Sequence, residues 1–189
     1  MKDEGKLRLL NLYRILYERT DEDHPLSTTQ LISILKNEYE ISAYRTTVTR
    51  DVEVLRDFGV DICEIKSTQN KYYILSREFE TPELKLLIDA VESSKLISNK
   101  KSAELVSKLE KMTSVNTAQE LKRNLCTEGR IKPANEKVFY IVDAINNAIN
   151  KEKKIAFRYM KYDSGKVKRA RNNNEEYIFS PYTLLWNGD

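Results

Sequence analysis

The stretch AYRTTVTRDVEVLRDF, residues 43–58, is the most informative part of this sequence. Its apolar side chains recur at helical spacing and share one side of a helical wheel: Tyr44, Val48, Val52 and Leu55. We therefore predict a helix from Ala43 to Phe58 whose apolar side packs on a core. Gly59 follows directly and is expected to end the helix.

The opposite side of this helix has its charges ordered along its length. From Ile41 to Arg50 there are two arginines, five hydroxyl-bearing residues and no acid. Glu53 and Asp57 follow only in the C-terminal half. A recognition helix enters the major groove of DNA by its N-terminal residues, so this order of charge favours DNA binding. An ordinary exposed amphipathic helix is the alternative, since such helices also carry Arg and Thr outside.

The neighbouring segments predict two more helices and a hairpin. One helix is expected over Lys6–Arg19 and another over Thr28–Tyr39, capped by Ser27 or Thr28. Two strand-like runs, Asp61–Lys66 and Lys71–Leu75, enclose four polar residues and predict a hairpin. Three helices followed by a hairpin is the order of a winged helix-turn-helix. The inward residues expected on the first two helices are Leu9, Leu12, Tyr13, Leu16, Leu31, Ile32 and Leu35.

These elements supply the side chains that we expect to contact DNA. Arginine contacts guanine or phosphate through two N–H groups, and threonine offers a hydroxyl to phosphate and a methyl to thymine. Threonines at the start of the second helix can hold a phosphate, and hairpin residues can touch the flanking backbone. The predicted DNA-binding residues are Thr28, Thr29, Arg45, Thr46, Thr47, Thr49, Arg50, Lys66, Lys71 and Tyr72.

The middle of the chain predicts further helices. One is expected to open at Thr81 with that residue as its cap, one to run over Ser102–Met112, and one to open at Thr117 with Glu120 completing a capping box. After a loop at 126–134, Asn135 is expected to cap a long helix. The inward residues expected on these helices are Leu84, Leu87, Ile88, Val91, Ala103, Val106, Leu109, Val138, Ile141, Val142, Ile145 and Ile149.

Beyond Asn150 the apolar period changes from 3.6 to 2. This predicts a half-buried strand over Ile155–Tyr159, a turn at Ser164-Gly165 and a further strand region over Tyr177–Trp186. The predicted fold class is therefore α+β and mainly helical.

Charge is distributed unevenly along the chain. Residues 1–75 contain 11 Lys/Arg and 13 Asp/Glu, whereas residues 151–171 contain nine Lys/Arg and two Asp/Glu. The second region is either an anionic-ligand surface or a solvated rim of strand and loop. The residues predicted for such a ligand surface are Lys154, Arg158, Lys161, Lys168, Arg169 and Arg171.

The sequence resembles the WYL-domain transcriptional regulators of bacteria, in patches that follow the family's order over nearly the whole chain. These patches are RTTVTRDVE at 45–53, Leu55, Gly59, DI at 61–62, YYIL at 72–75, REF at 77–79, PEL at 82–84, LLIDAV at 86–91, SK at 94–95, KKS at 100–102, KIAFRY at 154–159 and SPYTL at 180–184.

The resemblance implies three parts. Residues 1–76 would be a winged helix-turn-helix DNA-binding domain, 77–134 a helical connector, and 135–189 a partial Sm-like β-barrel, the WYL domain, with its leading helix. In such proteins the barrel is thought to sense a nucleotide or nucleic acid, and dimers are common. The family's Trp-Tyr-Leu-type motif is expected just after Asp189, and Trp186 does not match it by position. The WYL domain is therefore expected to be incomplete and the chain truncated.

The function expected is a sequence-specific DNA-binding transcriptional regulator whose partners are double-stranded DNA, a second copy of the chain and an effector. The alternative is a truncated, dimerising interaction protein that titrates full-length regulators. An enzyme is not expected, because the single histidine, His24, has no nucleophile, metal-ligand cluster or phosphate loop beside it. No cofactor, metal or membrane segment is expected. Cys63 and Cys126 are interpreted as reduced thiols of a cytoplasmic protein.

Overall fold

The computed structural model of the chain describes residues 4–123, 137–163, 165, 167–170 and 174–185. Its elements make an α+β protein in which helices predominate and the sheets are small and antiparallel. The chain divides into two compact units, Met1–Ser93 with Ser102–Arg130, and Ser94–Lys101 with Ile131–Asp189. None of the helices in these described ranges is both long and apolar enough to cross a membrane.

The first unit begins with three helices and a three-stranded sheet. The helices are α1 (Glu4–Arg19), α2 (Thr28–Tyr39) and α3 (Arg45–Asp57). The strands are β1 (Leu26–Ser27), β2 (Ile62–Ile65) and β3 (Lys71–Ile74), in the order β1-β3-β2. The hairpin of β2 and β3 is in the predicted place, with Cys63 opposite Tyr73. The strand β1 was not predicted, because two residues are too few to show a period of two.

One core cluster joins these three helices to the sheet. It contains buried residues from every helix and from β2 and β3: Leu12, Ile15, Leu16, Leu31, Leu35, Val48, Val52, Leu55, Ile62, Tyr72 and Ile74. The predicted inner faces of α2 and α3 are mostly confirmed. Two predictions are wrong, since Tyr13 is exposed and Ile15 is buried in its place, while Tyr44 precedes α3 and is 82% exposed. Tyr44 stands at the boundary of α3, where its ring can turn outward, whereas Val48 one turn later is held in the core.

The start of α2 and the end of α3 are each fixed by a residue of suitable local chemistry. Ser27 caps α2, because its Oγ accepts the Gln30 N–H while the Gln30 side chain accepts the Ser27 N–H. The helix α3 ends at Asp57, and Gly59 follows with φ +103°, a conformation that favours glycine. The predicted stop at Gly59 is confirmed.

Three more helices lie wholly or mostly in the first unit, namely α4 (Thr81–Ser93), α5 (Asn99–Glu110) and α6 (Val115–Arg123). They share a small core of Leu84, Ile88, Val106 and Leu121. Both predicted caps are wrong. At the start of α4 the Glu80 N–H, one residue before Thr81, donates to the Glu83 carboxylate. The helix α6 is capped by Ser114, whose hydroxyl accepts the Thr117 N–H. Leu87 and Ala103 are exposed, contrary to prediction.

The second unit contains α7 (Lys137–Asn150) and four strands, β4 (Ile155–Arg158), β5 (Met160–Tyr162), β6 (Lys168–Ala170) and β7 (Glu176–Phe179). In its described residues the strands form two separate pairs, β4 with β7 and β5 with β6. The change from helix to strand after Asn150 is confirmed, but the half-buried face is not, because Phe157 and Tyr159 are 41% and 51% exposed. Ile141, expected to face inward on α7, is 53% exposed. The predictions at 126–134, Asn135 and Trp186 lie outside the described residues.

Candidate nucleic-acid interface

The packing of α3 determines which of its residues are accessible. Val48, Val52 and Leu55 are buried in the core, so the opposite side of the helix is turned to solvent. Arg45, Thr46, Thr49 and Arg50 are exposed there, and Thr47 is half-buried. The five residues predicted on α3 therefore lie together in its N-terminal half, within two turns of each other.

The first turn of α3 has no side-chain cap. Tyr44 occupies the N-cap position and makes no capping hydrogen bond, and the first helical bond is from the Val48 N–H to the Tyr44 carbonyl. The N–H groups of the first turn of a helix have no acceptor within the helix. They carry a partial positive charge that favours an anion, and no acidic residue occupies this turn.

The start of α2 is connected to this turn through two side chains. Arg45 Nη2 donates to the Thr29 hydroxyl at 3.3 Å, and the Thr49 hydroxyl donates to the Arg45 carbonyl at 3.1 Å. The predicted residues Thr29, Arg45 and Thr49 are thus brought together. Arg50, by contrast, has no ion pair or hydrogen bond to another side chain in the described ranges.

The carboxylates closest in sequence to this surface are paired with arginines. Asp51 receives two hydrogen bonds from Arg8 of α1, from Nε at 2.6 Å and Nη2 at 3.2 Å. The hydrogen bond to Asp51 raises the pKa of Arg8, against burial, which lowers it. Glu53 accepts from Arg56 Nη1 at 2.6 Å. The positive character of the N-terminal half of α3 is therefore opposed by few free carboxylates, although residues 1–75 are net negative.

Arg8 was not among the predicted site residues. It lies on the core-facing arc of α1, between the directions of Leu12 and Ile15, and borders the same groove as Thr46 and Arg50. An arginine at a core-facing position of a helix is a sign of a buried partner, because long charged side chains are rarely buried unless paired. That signal was present in the sequence and would have identified Arg8, although not its partner.

Two predicted DNA contacts are wrong as placed. Thr28 is 7% exposed, and its N–H and hydroxyl both donate to the Asn70 carbonyl, at 3.1 and 3.3 Å. Tyr72 is 1% exposed, and its hydroxyl donates to Glu64 at 3.3 Å. Thr28 thus links the start of α2 to the hairpin, and Tyr72 is buried in the core and bonded within the hairpin. Lys66 and Lys71 are exposed on the hairpin as predicted.

The basic region of the second unit is partly neutralised. Arg158 pairs with Glu176 at 3.1 Å across β4 and β7, and Arg169 pairs with Asp163 at 2.7 Å. Lys154 and Lys161 are exposed. Lys168 lies on β6, but its side chain is not described, and Arg171 is outside the described residues. Two of the predicted cations, Arg158 and Arg169, therefore have carboxylate partners in the described part, and Lys161 lies opposite Arg169 across β5 and β6.

A cavity of about 500 Å³ lies elsewhere in the first unit, between the loop after α1 and the start of α6. Its lining includes Asp21, His24 and Arg77, together with several further carboxylates. Burial raises the pKa of Asp21, but hydrogen bonds from Ser114 and His24 lower it by more, so the net pKa lies below its usual value. In the described part of the chain, no group of acids, cysteines and histidine is placed to hold a metal ion. The acidic lining makes this cavity unlike a nucleic-acid surface.

No family model and no curated protein matches the chain.

Proposed function

We propose that residues 1–76 form a winged helix-turn-helix that binds double-stranded DNA through the N-terminal half of α3. The observation that carries this proposal is the arrangement around Arg45 and Arg50. Arg45 is held by Thr29 at 3.3 Å, Arg50 is exposed in the N-terminal half of α3, which has no acid from Arg45 to Arg50, and the adjacent Asp51 is bound by Arg8. The order of three helices and a hairpin supports the same function.

In this proposal each residue has a defined task. The uncapped first turn of α3 and the threonines Thr46 and Thr49 contact phosphates, which fixes the register of the protein on the duplex. Arg50, free to extend, makes the base contact, with guanine as the preferred partner. Lys66 and Lys71 on the hairpin contact the flanking backbone. The whole chain would then act as a cytoplasmic transcriptional regulator of the WYL type, with 77–134 as connector and 135–189 as an Sm-like sensor of a nucleotide or nucleic acid.

The test begins with selection of bound duplexes from a random DNA library by the full chain. The affinity for the selected duplex is then measured by fluorescence anisotropy over a series of salt concentrations. Affinity that falls steeply with salt is expected, because phosphate contacts release counterions. A homodimer would select half-sites about one helical turn apart, roughly 34 Å.

The decisive variant is Arg50→Ala, with Arg14→Ala as its control. Arg14 is an exposed arginine of α1 that pairs with Glu18. Arg50→Ala is expected to weaken binding by roughly 1–3 kcal/mol and to relax the base preference at one position, whereas Arg14→Ala changes neither. Binding that is insensitive to salt, or an unchanged affinity of Arg50→Ala, would contradict the proposal. A chain that forms dimers but selects no DNA would support the interaction protein instead.

A further inference from the structure

A groove runs between α1 and α3, beside the face proposed to bind DNA. Its volume is about 440 Å³, and it is open to solvent. Its lining combines two arginines, two threonines, one carboxylate and one apolar side chain: Arg8, Arg50, Thr46, Thr47, Asp51 and Val54. Two guanidinium groups against one carboxylate leave the groove with a net positive charge.

The ion pair of Arg8 with Asp51 fixes one edge of a guanidinium group. Nε and Nη2 of Arg8 donate to the two carboxylate oxygens, and the two side chains are only 20% and 10% exposed. Nη1 makes no hydrogen bond with the described residues. It is also not buried, so it is accessible to solvent. A planar guanidinium held along one edge by a carboxylate can offer its other edge to a second anion. Because its orientation is already fixed, little side-chain entropy remains to be lost on binding.

We infer that this groove binds a backbone phosphate of the DNA, with Arg8 Nη1 as the principal donor and the Thr46 and Thr47 hydroxyls beside it. The inference rests on the proposed function, since the phosphate belongs to the same duplex that α3 contacts. It adds α1 to the interface and gives Asp51 a positioning task. A phosphate contact carries no base information, so Arg8 contributes to affinity and register and not to base preference.

A simpler role for Arg8 is neutralisation of Asp51. The two roles predict different DNA binding for a variant in which both side chains are replaced. If Arg8 only neutralises Asp51, removing both side-chain charges together restores wild-type behaviour. If Arg8 contacts a phosphate, the double variant still lacks one phosphate contact. The set to compare is wild type, Arg8→Gln, Asp51→Asn and Arg8→Gln with Asp51→Asn, with Arg14→Gln as the matched control on α1.

The measurement is the dependence of affinity on salt, for one selected duplex, at a temperature where every variant is folded by circular dichroism. Loss of one phosphate contact reduces the slope of log K against log salt by about 0.9. We expect that reduction for Arg8→Gln and for the double variant and none for Arg14→Gln, whereas Asp51→Asn, which removes the carboxylate that holds Arg8, should weaken binding while the slope stays that of wild type. The base preference is expected to stay the same in all of them. If the first double variant does not fold, Arg8→Met with Asp51→Leu takes its place, because apolar residues often replace a buried ion pair without loss of stability.

The outcomes separate this inference from the function on which it rests. A wild-type slope in the folded double variant overturns the inference and leaves DNA binding by α3 in place. Wild-type protein that shows no salt-dependent DNA binding overturns both. A methylphosphonate scan of the duplex gives an independent check: one neutralised position should weaken wild-type binding but leave the double variant unaffected, and a pattern shared by both proteins would count against Arg8.

Discussion

The hydroxyl oxygen of Thr20 accepts the backbone N–H of Ile74 at 3.1 Å, which joins the residue after α1 to the end of β3. Thr20 is fully buried, and its hydroxyl donates in turn to the Leu16 carbonyl at 2.7 Å. The Thr20 carbonyl accepts from Arg77 Nη2 at 2.7 Å. The Thr20 side chain thus provides the acceptor for the last backbone N–H of β3. The Thr20 carbonyl also holds Arg77, in the segment that leads to α4.

Thr20→Val tests how much this junction contributes to stability. Valine has nearly the same shape, so the main change is that the buried Ile74 N–H loses its acceptor, at a cost of roughly 1–3 kcal/mol. The Leu16 carbonyl keeps the Thr20 N–H as a donor. The free energy of unfolding in urea measures the effect. Thr20→Ser keeps the hydroxyl and should lose less; equal losses in the two variants would assign the effect to packing.

The cap of α2 offers a second stability test. Ser27 Oγ accepts the Gln30 N–H at 3.3 Å, and the Gln30 Oε1 accepts the Ser27 N–H at 2.8 Å. Ser27→Ala should reduce the free energy of unfolding by about 0.5–2 kcal/mol, the usual cost of losing a cap. Ser33→Ala, at an exposed position in the middle of the same helix, should change it by less than about 0.5 kcal/mol. A cap variant as stable as the Ser33 variant would contradict this assignment.

The parts of the fold that were predictable are those fixed by local sequence. The bounds of α2 match the prediction because a capping box and an apolar stripe define it within 13 residues. Tyr13 and Tyr44 were misplaced because a period of 3.6 records hydrophobicity but not the ability of a tyrosine to remain partly exposed with its hydroxyl in water. The strand β1 depends on its pairing with Tyr72 and Lys71, some 45 residues away, and no local pattern reports that.

In the candidate site, too, the features set by local sequence were predictable and those set by distant contacts were not. The five residues predicted on α3 share its N-terminal half because their accessibility follows from the core positions Val48 and Val52. Thr28 and Tyr72 were assigned to the DNA surface because their side-chain chemistry suits phosphate, but contacts with Asn70 and Glu64 use them internally. Arg8 enters the site only through Asp51, 43 residues away. Contacts of long range were the part that the sequence could not supply.

The link between Thr29 and Arg45 leads to a prediction about DNA affinity. Thr29→Ala removes the hydroxyl that holds Arg45 Nη2 at 3.3 Å, so Arg45 must be ordered when DNA binds. A hydrogen bond of this kind contributes about 0.5–1.5 kcal/mol net, which corresponds to roughly a two- to tenfold loss of affinity for the selected duplex. Ser93→Ala, at an exposed hydroxyl of α4, is the control and should have no effect. An unchanged affinity of Thr29→Ala would show that Arg45 needs no support from α2.

Asp21 makes the stability of the first unit depend on pH in acid. Its pKa is raised by burial but lowered further by hydrogen bonds from Ser114 and His24, so the folded-state value lies below the unfolded value of about 3.9. A depressed pKa of this kind stabilises the folded protein above the unfolded value, and the contribution is lost as pH falls through the folded-state pKa. We therefore expect the thermal midpoint of wild-type protein to exceed that of Asp21→Asn at about pH 6 and the difference to shrink below about pH 4. Asp23→Asn, in the same loop but exposed, is the control. A difference between wild type and Asp21→Asn that stays constant down to about pH 2.5 would show that ionisation of Asp21 does not contribute.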